Sequence, residues 1–204
     1  MRPLPALTDI SGALLAGGRG SRLGGVPKGL LQREGRPIAA GAIQLMEALF
    51  DSVFMVADDP APYRHLGVPI IPDQLPGRGA PGGLHAALHA ARTPWVFTAA
   101  CDMPFLAEAS IRALAAARHE GAQVVVVRWA GRLQPLHALW ARAALPAVEA
   151  ALREGTPSLR ALVAALPARV LEEEEWRAVD PEGRCLEDAD TPEDAARLGL
   201  DHQL

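Results

Sequence analysis

Ile10-Ser-Gly-Ala-Leu-Leu-Ala-Gly-Gly-Arg-Gly-Ser-Arg-Leu-Gly-Gly-Val-Pro-Lys28 is where the chain first commits to an architecture. Ile10 to Ala16 is a run of apolar and small residues that reads as a buried strand. It opens into a loop carrying Gly17, Gly18, Gly20, Gly24 and Gly25. A strand, a loop of bare backbone amides and one flexible cation together suit the phosphates of a nucleotide. Lys28 is the only lysine in the chain, the remaining 19 of the 20 Lys and Arg residues being arginines. Position 28 therefore favours a compact ammonium over a planar guanidinium fork.

The loop is defined further by what it lacks. A Walker loop needs Gly immediately before its Lys and Ser or Thr after it, whereas Lys28 lies between Pro27 and Gly29. A dinucleotide-binding fingerprint needs Gly three positions after Gly20, where Leu23 stands. What remains is a longer loop in which Arg22 and Lys28 both reach one polyphosphate. The competing reading is a surface loop with two unrelated charges.

Apolar runs alternate with helical periods beyond the loop. Helices are predicted over 37–50, 82–91 and 107–118, and strands over 53–57, 68–71, 95–100 and 124–127. Continuous β-rich runs separated by helices imply a mostly parallel sheet covered on both faces, hence an α/β doubly wound core. After Trp140 the pattern turns helical (141–154 and 158–165), then a short strand near 169–172 precedes a last helix opened by Asp190-Thr-Pro-Glu-Asp194. Thr191 is placed as its N-cap and Pro192 as its first helical residue. Ligands of open parallel sheets bind beyond the carboxyl ends of the strands, where Asp73, Asp102 and the Asp190 loop are expected.

At 204 residues, 50% hydrophobic and 22% charged, the chain suits one globular domain. A net charge of −4 offers no general attraction to nucleic acid or to a membrane surface, so an anionic ligand must be met by a local site. No apolar run is long enough for a bilayer and the N-terminus has no secretory pattern, which predicts a soluble, cytoplasmic protein. Cys101 and Cys185 lack partners at metal spacing and are read as reduced thiols.

Cys101-Asp102-Met103-Pro104 places an acid directly after a buried strand. A carboxylate there suits Mg²⁺, which takes a few carboxylates together with substrate phosphates; the alternative is an N-cap for the next helix. Asp73 and Asp190 have comparable alternatives in turn formation and helix opening. His85 and His89 stand four apart on a predicted helix without the Glu of a zinc-protease motif, and read as structural or solvated residues. Glu172 to Glu175 reads as a solvated face, and Cys101 as a small core residue.

Leu15-Ala-Gly-Gly18, Arg22-Leu-Gly-Gly25, Lys28-Gly-Leu30, Pro81-Gly-Gly83, Cys101-Asp-Met-Pro104, Gln134-Pro-Leu-His-Ala-Leu139 and Asp190-Thr-Pro-Glu-Asp194, in this order, resemble the molybdenum cofactor guanylyltransferases. The resemblance spans nearly the whole chain. It implies a three-layer, Rossmann-like nucleotidyltransferase fold in a single domain, with a nucleotide-binding part over about 8–128 and an acceptor-side part over about 129–204. It also implies GTP as substrate, Mg²⁺ as cofactor, molybdopterin as acceptor, and transient contact with other molybdenum-cofactor proteins.

Carried over by position, Leu15, Ala16, Gly17 and Gly18 would contact the guanine nucleotide, and Lys28 and Arg22 its phosphates. Asp73 would lie near base or sugar, with Gly82 and Gly83 permitting close approach. Asp102 would hold Mg²⁺, with Asp190, where the family usually has Asn, as an added metal carboxylate or a helix-opening residue. Gln134, Pro135 and His137 would lie on the acceptor side, and a family nucleotide-contacting Asn maps near Val56 to Asp58. The alternatives on the same fold are a cytidylyltransferase for the same pterin or a transferase for another phosphate; outside it, a nucleotide-binding protein without turnover.

Overall fold

The computed structural model describes residues 5–17, 22–23, 26–75 and 77–201. Seven strands form one sheet: β1 (Ile10–Leu15), β2 (Ser52–Val56), β3 (Ile70–Ile71), β4 (Trp95–Ala100), β5 (Val124–Trp129), β6 (Arg132–Ala141) and β7 (Ala168–Leu171). Their order across the sheet is β7-β5-β6-β4-β1-β2-β3. Only β6 runs antiparallel to its neighbours, β4 and β5. The predicted α/β sheet is therefore present, with one reversed strand that the sequence reading did not assign.

Burial explains the strand sequences. Val124 to Val127 are all fully buried, as are Val96, Phe97 and Ala99 in β4, because helices cover both faces. On one face lie α1 (Ile38–Glu47), α3 (Glu108–Ala116) and α6 (Glu173–Trp176), through Met46, Leu114 and Trp176 among others. On the other lie α2 (Ala80–Ala90), α4 (Leu145–Glu154) and α5 (Leu159–Ala165), through Leu88, Leu152 and Leu162. Layers and sheet match the Rossmann-like arrangement expected.

Strand β6 was hidden by Pro135, which cannot donate to a ladder and normally argues against a strand interior. The register shifts between Leu133 and Ala138, so the pairing skips the proline. The hairpin joining β5 to β6 turns through Ala130 (φ 48°) and Gly131 (φ 72°), the paired positive angles of a type I′ turn. The acidic run is more than a solvated face: Glu173 accepts the Ala130 backbone N–H at 2.8 Å, holding that turn, while Glu172 pairs with Arg128 and Glu175 with Arg169.

A third, small apolar cluster lies outside the main layers. Leu23, Leu31 and Ile38, flanking Lys28, pack with Ala189, Ala195, Leu198 and Leu200 around α7 (Pro192–Arg197). Each large side chain buried there contributes roughly 1.5–3 kcal/mol. Reciprocal backbone bonds between Gln32 and Asp201, 2.9 and 2.8 Å long, tie the two segments together. The C-terminal segment is thereby docked beside the residues that flank Lys28.

Candidate active site

The end of β1 is pinned on both sides. The Ala16 N–H donates to the Val56 carbonyl at 2.8 Å, and the Cys101 N–H donates to the Leu15 carbonyl at 3.0 Å. Leu15, Ala16 and Gly17 consequently form the floor of a cavity of about 270 Å³ at the carboxyl ends of β1, β2 and β4, the place expected for a ligand. Val56, Ala57, Asp58, Asp73 and Gly83 form one side, and Lys28, Asp102, Asp188 and Asp190 another. Gly18, Gly20, Gly24 and Gly25 lie outside the described residues, as does the side chain of Arg22, whose backbone pairs with Pro27.

Lys28 begins a single 3-10 turn, Lys28–Leu30. The turn fits against β4 because position 29 is glycine: a Cβ there would stand 3.0 Å from Cys101 Cβ and 3.2 Å from both its Sγ and Tyr63 Cε1. That fit sets Lys28 next to Asp102. Its Nζ donates to Asp102 Oδ2 at 3.2 Å and to Asp190 Oδ1 at 2.6 Å. Burial alone would depress the ammonium pKa, but the two carboxylates more than offset it and hold the value above the ordinary lysine range.

Asp102 is 8% exposed, and its burial raises the carboxyl pKa against the pull of Lys28. It caps no helix, since α3 starts at Glu108 behind Ala107. Asp190 does not open α7 either: the Thr191 hydroxyl accepts the Asp194 N–H, and the Asp194 carboxylate accepts the Thr191 N–H in return. The Ala189 N–H donates to the Asp102 carbonyl at 3.2 Å, which carries Asp188 and Asp190 to the end of β4. Asp188, not singled out in the sequence, keeps an exposed surface at the cavity, and partial desolvation followed by the charges of Asp190 and Asp102 pushes its pKa up to about 6.

One ammonium thus faces three carboxylates. Among the described residues, no three acidic, histidine or cysteine side chains form a ready-made metal cage. Mg²⁺ does not need one, because it binds through one or two carboxylates plus substrate phosphates and water. The hard carboxylate oxygens of Asp102 and Asp190 are a donor set that fits that ion.

Asp73 does form a turn, its Oδ1 accepting the Leu75 N–H at 2.8 Å, yet it also lines the cavity. Burial raises its pKa, with the Leu75 amide opposing and Asp58 adding to the rise. Gly82 makes room for this carboxylate, for a Cβ there would stand 2.6 Å from Asp73 Oδ2. Gly83 lines the cavity itself.

A second cavity of about 340 Å³ adjoins the first and shares Ala80, Ala100, Leu136 and Asp188 with it. Gln134 and Pro135 line it, together with Arg160. The His137 imidazole does not present itself to solvent there: the residue is fully buried, with its ring edge-on between Phe97 and Trp176 at 5.3 and 5.9 Å and both nitrogens unbonded. His137 nevertheless stands in the wall of this cavity with Gln134, Pro135 and Leu136, along the stretch where the β6 register is broken. Desolvation lowers the His137 pKa to about 3.

His85 is buried against Glu149, Nε2 to Oε1 3.5 Å, whereas His89 is exposed beside Gln74, so one is structural and the other solvated. Both cysteines are free and buried, and burial pushes the Cys101 thiol up to about 12. That rules out a ready thiolate. Asp188 and Arg160 were not singled out as contacts, whereas Asp58 and Leu136 fall within stretches that were. The spacing Asp188-Ala-Asp190 around a buried Ala189 was the available signal for one of them.

The MobA-like NTP transferase domain family matches residues 12–170. The chain belongs to that family. The molybdenum cofactor guanylyltransferase of Desulfosudis oleivorans is 31% identical over 173 residues, covering 85% of this chain and 86% of its own. That of Cupriavidus pinatubonensis is 39% identical over 142 residues, covering 66% and 71%. The molybdopterin-guanine dinucleotide biosynthesis protein A of Archaeoglobus fulgidus superposes with a TM-score of 0.78 at 24% identity, over 92% of this chain and 95% of its own, showing the shared fold. The transferase has no helix long and apolar enough to cross a membrane among its described residues.

Proposed function

We propose that this transferase moves GMP from GTP to the terminal phosphate of molybdopterin, giving molybdopterin guanine dinucleotide and pyrophosphate. The observation that carries the reading is the junction of the two cavities: a nucleotide-sized space holding Lys28, Asp73 and Asp102 opens past Asp188 and Leu136 into a second, which is where donor and acceptor must meet. The names of the relatives supply the substrates.

An acceptor phosphate oxygen forms a bond to the α-phosphorus as the bond from that phosphorus to the α–β bridging oxygen breaks, and pyrophosphate carries away the electron pair. The nucleophile is already ionised at neutral pH, so no side chain need remove a proton. Mg²⁺, held by Asp102 and Asp190, would supply neutralisation of phosphate charge. Lys28 meets the phosphates with its ammonium, and Arg22 joins it from the loop. The backbone of Leu15 to Gly17 and Asp73 orient base and sugar, which makes positioning and charge the main sources of acceleration.

In this reading, residues of about 8–128 furnish most of the nucleotide part and about 129–204 most of the acceptor part, with Gln134, Pro135 and Arg160 towards the pterin. His137 holds the wall from behind. Pyrophosphate release assayed with each of four NTPs, with and without molybdopterin, tests the proposal. Release with GTP that depends on molybdopterin is the expected result. Equal kcat/KM for CTP would instead assign the cytidylyl reaction, and nucleotide binding without release would remove catalysis altogether.

A further inference from the structure

Lys28 occupies the carboxylates that the metal would use. Its Nζ contacts both Asp102 Oδ2 and Asp190 Oδ1, and both Lys28 and Asp102 are over nine-tenths buried. Asp190 is mostly exposed, but the buried Lys28 and Asp102 set the local dielectric, so an ammonium and a divalent cation on this carboxylate pair repel each other. Nucleotide phosphates change the balance, because they offer the ammonium new anionic oxygens and add their own to the metal.

We infer that Lys28 and the divalent cation compete for Asp102 and Asp190, so that the protein binds metal weakly until nucleotide phosphates draw the lysine away. The metal then enters together with the nucleotide, and Lys28 moves from holding the carboxylates to holding the phosphates. The inference rests on the proposed metal role of Asp102. It gives the lysine a second task besides phosphate binding, and it makes the Lys28–Asp190 contact an exchangeable one.

Metal binding without nucleotide is the test, using Mn²⁺ alone followed by electron paramagnetic resonance. Lys28→Met, which keeps the stem and removes the charge, should bind Mn²⁺ roughly tenfold or more tightly than the parent, the size expected from removing one nearby cation. Because the chain has one lysine, labelling with [¹⁵Nζ]lysine gives a single side-chain resonance in the unmodified protein. That resonance should shift in step with Mg²⁺ saturation. Equal Mn²⁺ affinity in parent and Lys28→Met, or an unmoved resonance at saturating Mg²⁺, would overturn the competition while leaving the metal site standing. Asp102→Asn separates the two ideas: if it binds Mn²⁺ like the parent, the metal site itself is misplaced and the competition falls with it.

Discussion

Nζ of Lys28 lies 2.6 Å from Oδ1 of Asp190, although 162 residues separate them. The contact depends on the small cluster that packs Leu31 and Ile38 against Ala189, Ala195 and Leu198. A lysine set by the first loop and an acid delivered by the last helix thus share one site. Asp102, at the end of a central strand, is the fixed point to which both are brought.

Lys28→Arg should lower kcat/KM about a hundredfold, the scale of losing one aligned electrostatic contact. Lys28 is 7% exposed, and a guanidinium fork in so confined a place would meet the phosphate oxygens differently from a slim ammonium. Lys28→Ala should lose at least as much, with both proteins folded by circular dichroism. Parent-like turnover in Lys28→Arg would mean that any cation suffices.

Asp102→Ala should cost roughly 3 kcal/mol or more of transition-state stabilisation. Steady-state rates over a range of Mg²⁺ concentrations measure it. Near-normal turnover would take the metal role away from this residue.

Gly29→Ala tests the fit that seats the lysine. Its Cβ would stand 3.0 Å from Cys101 Cβ, so the 3-10 turn and Cys101 must part by a few tenths of an ångström, which shifts Lys28 against Asp102. Activity should fall at least tenfold with the sheet intact, an order-of-magnitude expectation for a small misplacement of a catalytic group. Cys101→Ala in the same chain should restore part of it by vacating the Sγ, which also lies 3.2 Å away.

His137 supplies a pH dependence. Its folded pKa of about 3 lies below the ordinary histidine value of 6.5, so unfolding takes up a proton between these values. Its stabilising contribution is complete above pH 6.5 and declines as pH falls towards 3. His137→Phe should flatten the fall of Tm with acid and leave the KM for molybdopterin unchanged. A raised acceptor KM would return the residue to the acceptor side.

The early strands were legible because β1, β4 and the buried half of β5 are continuous apolar runs, whose burial on both faces leaves no other use for them. Lys28 and Asp102 were legible by position, one through its singularity and the other through its place after β4. Strand β6 was not, since Pro135 disguises it and the usual Asn-Gly hairpin signal is replaced by Ala130-Gly131. His137 does lie with its sequence neighbours along the second cavity, but its full burial is a tertiary outcome that the motif does not record. The lysine–carboxylate cluster is a long-range product of tertiary docking, and no local pattern records that the lysine will touch both acids.

The late position of Asp188 and Asp190 has a consequence during synthesis. A ribosome-bound chain whose final segment is still within the exit tunnel can pair β1, β2, β4 and even β6, for their hydrogen bonds require nothing beyond residue 171. It already carries Lys28 and Asp102, yet lacks Asp188 and Asp190 and the buried Trp176, Cys185 and Leu186. The charge around Lys28 is therefore completed last, by the segment that also closes the core.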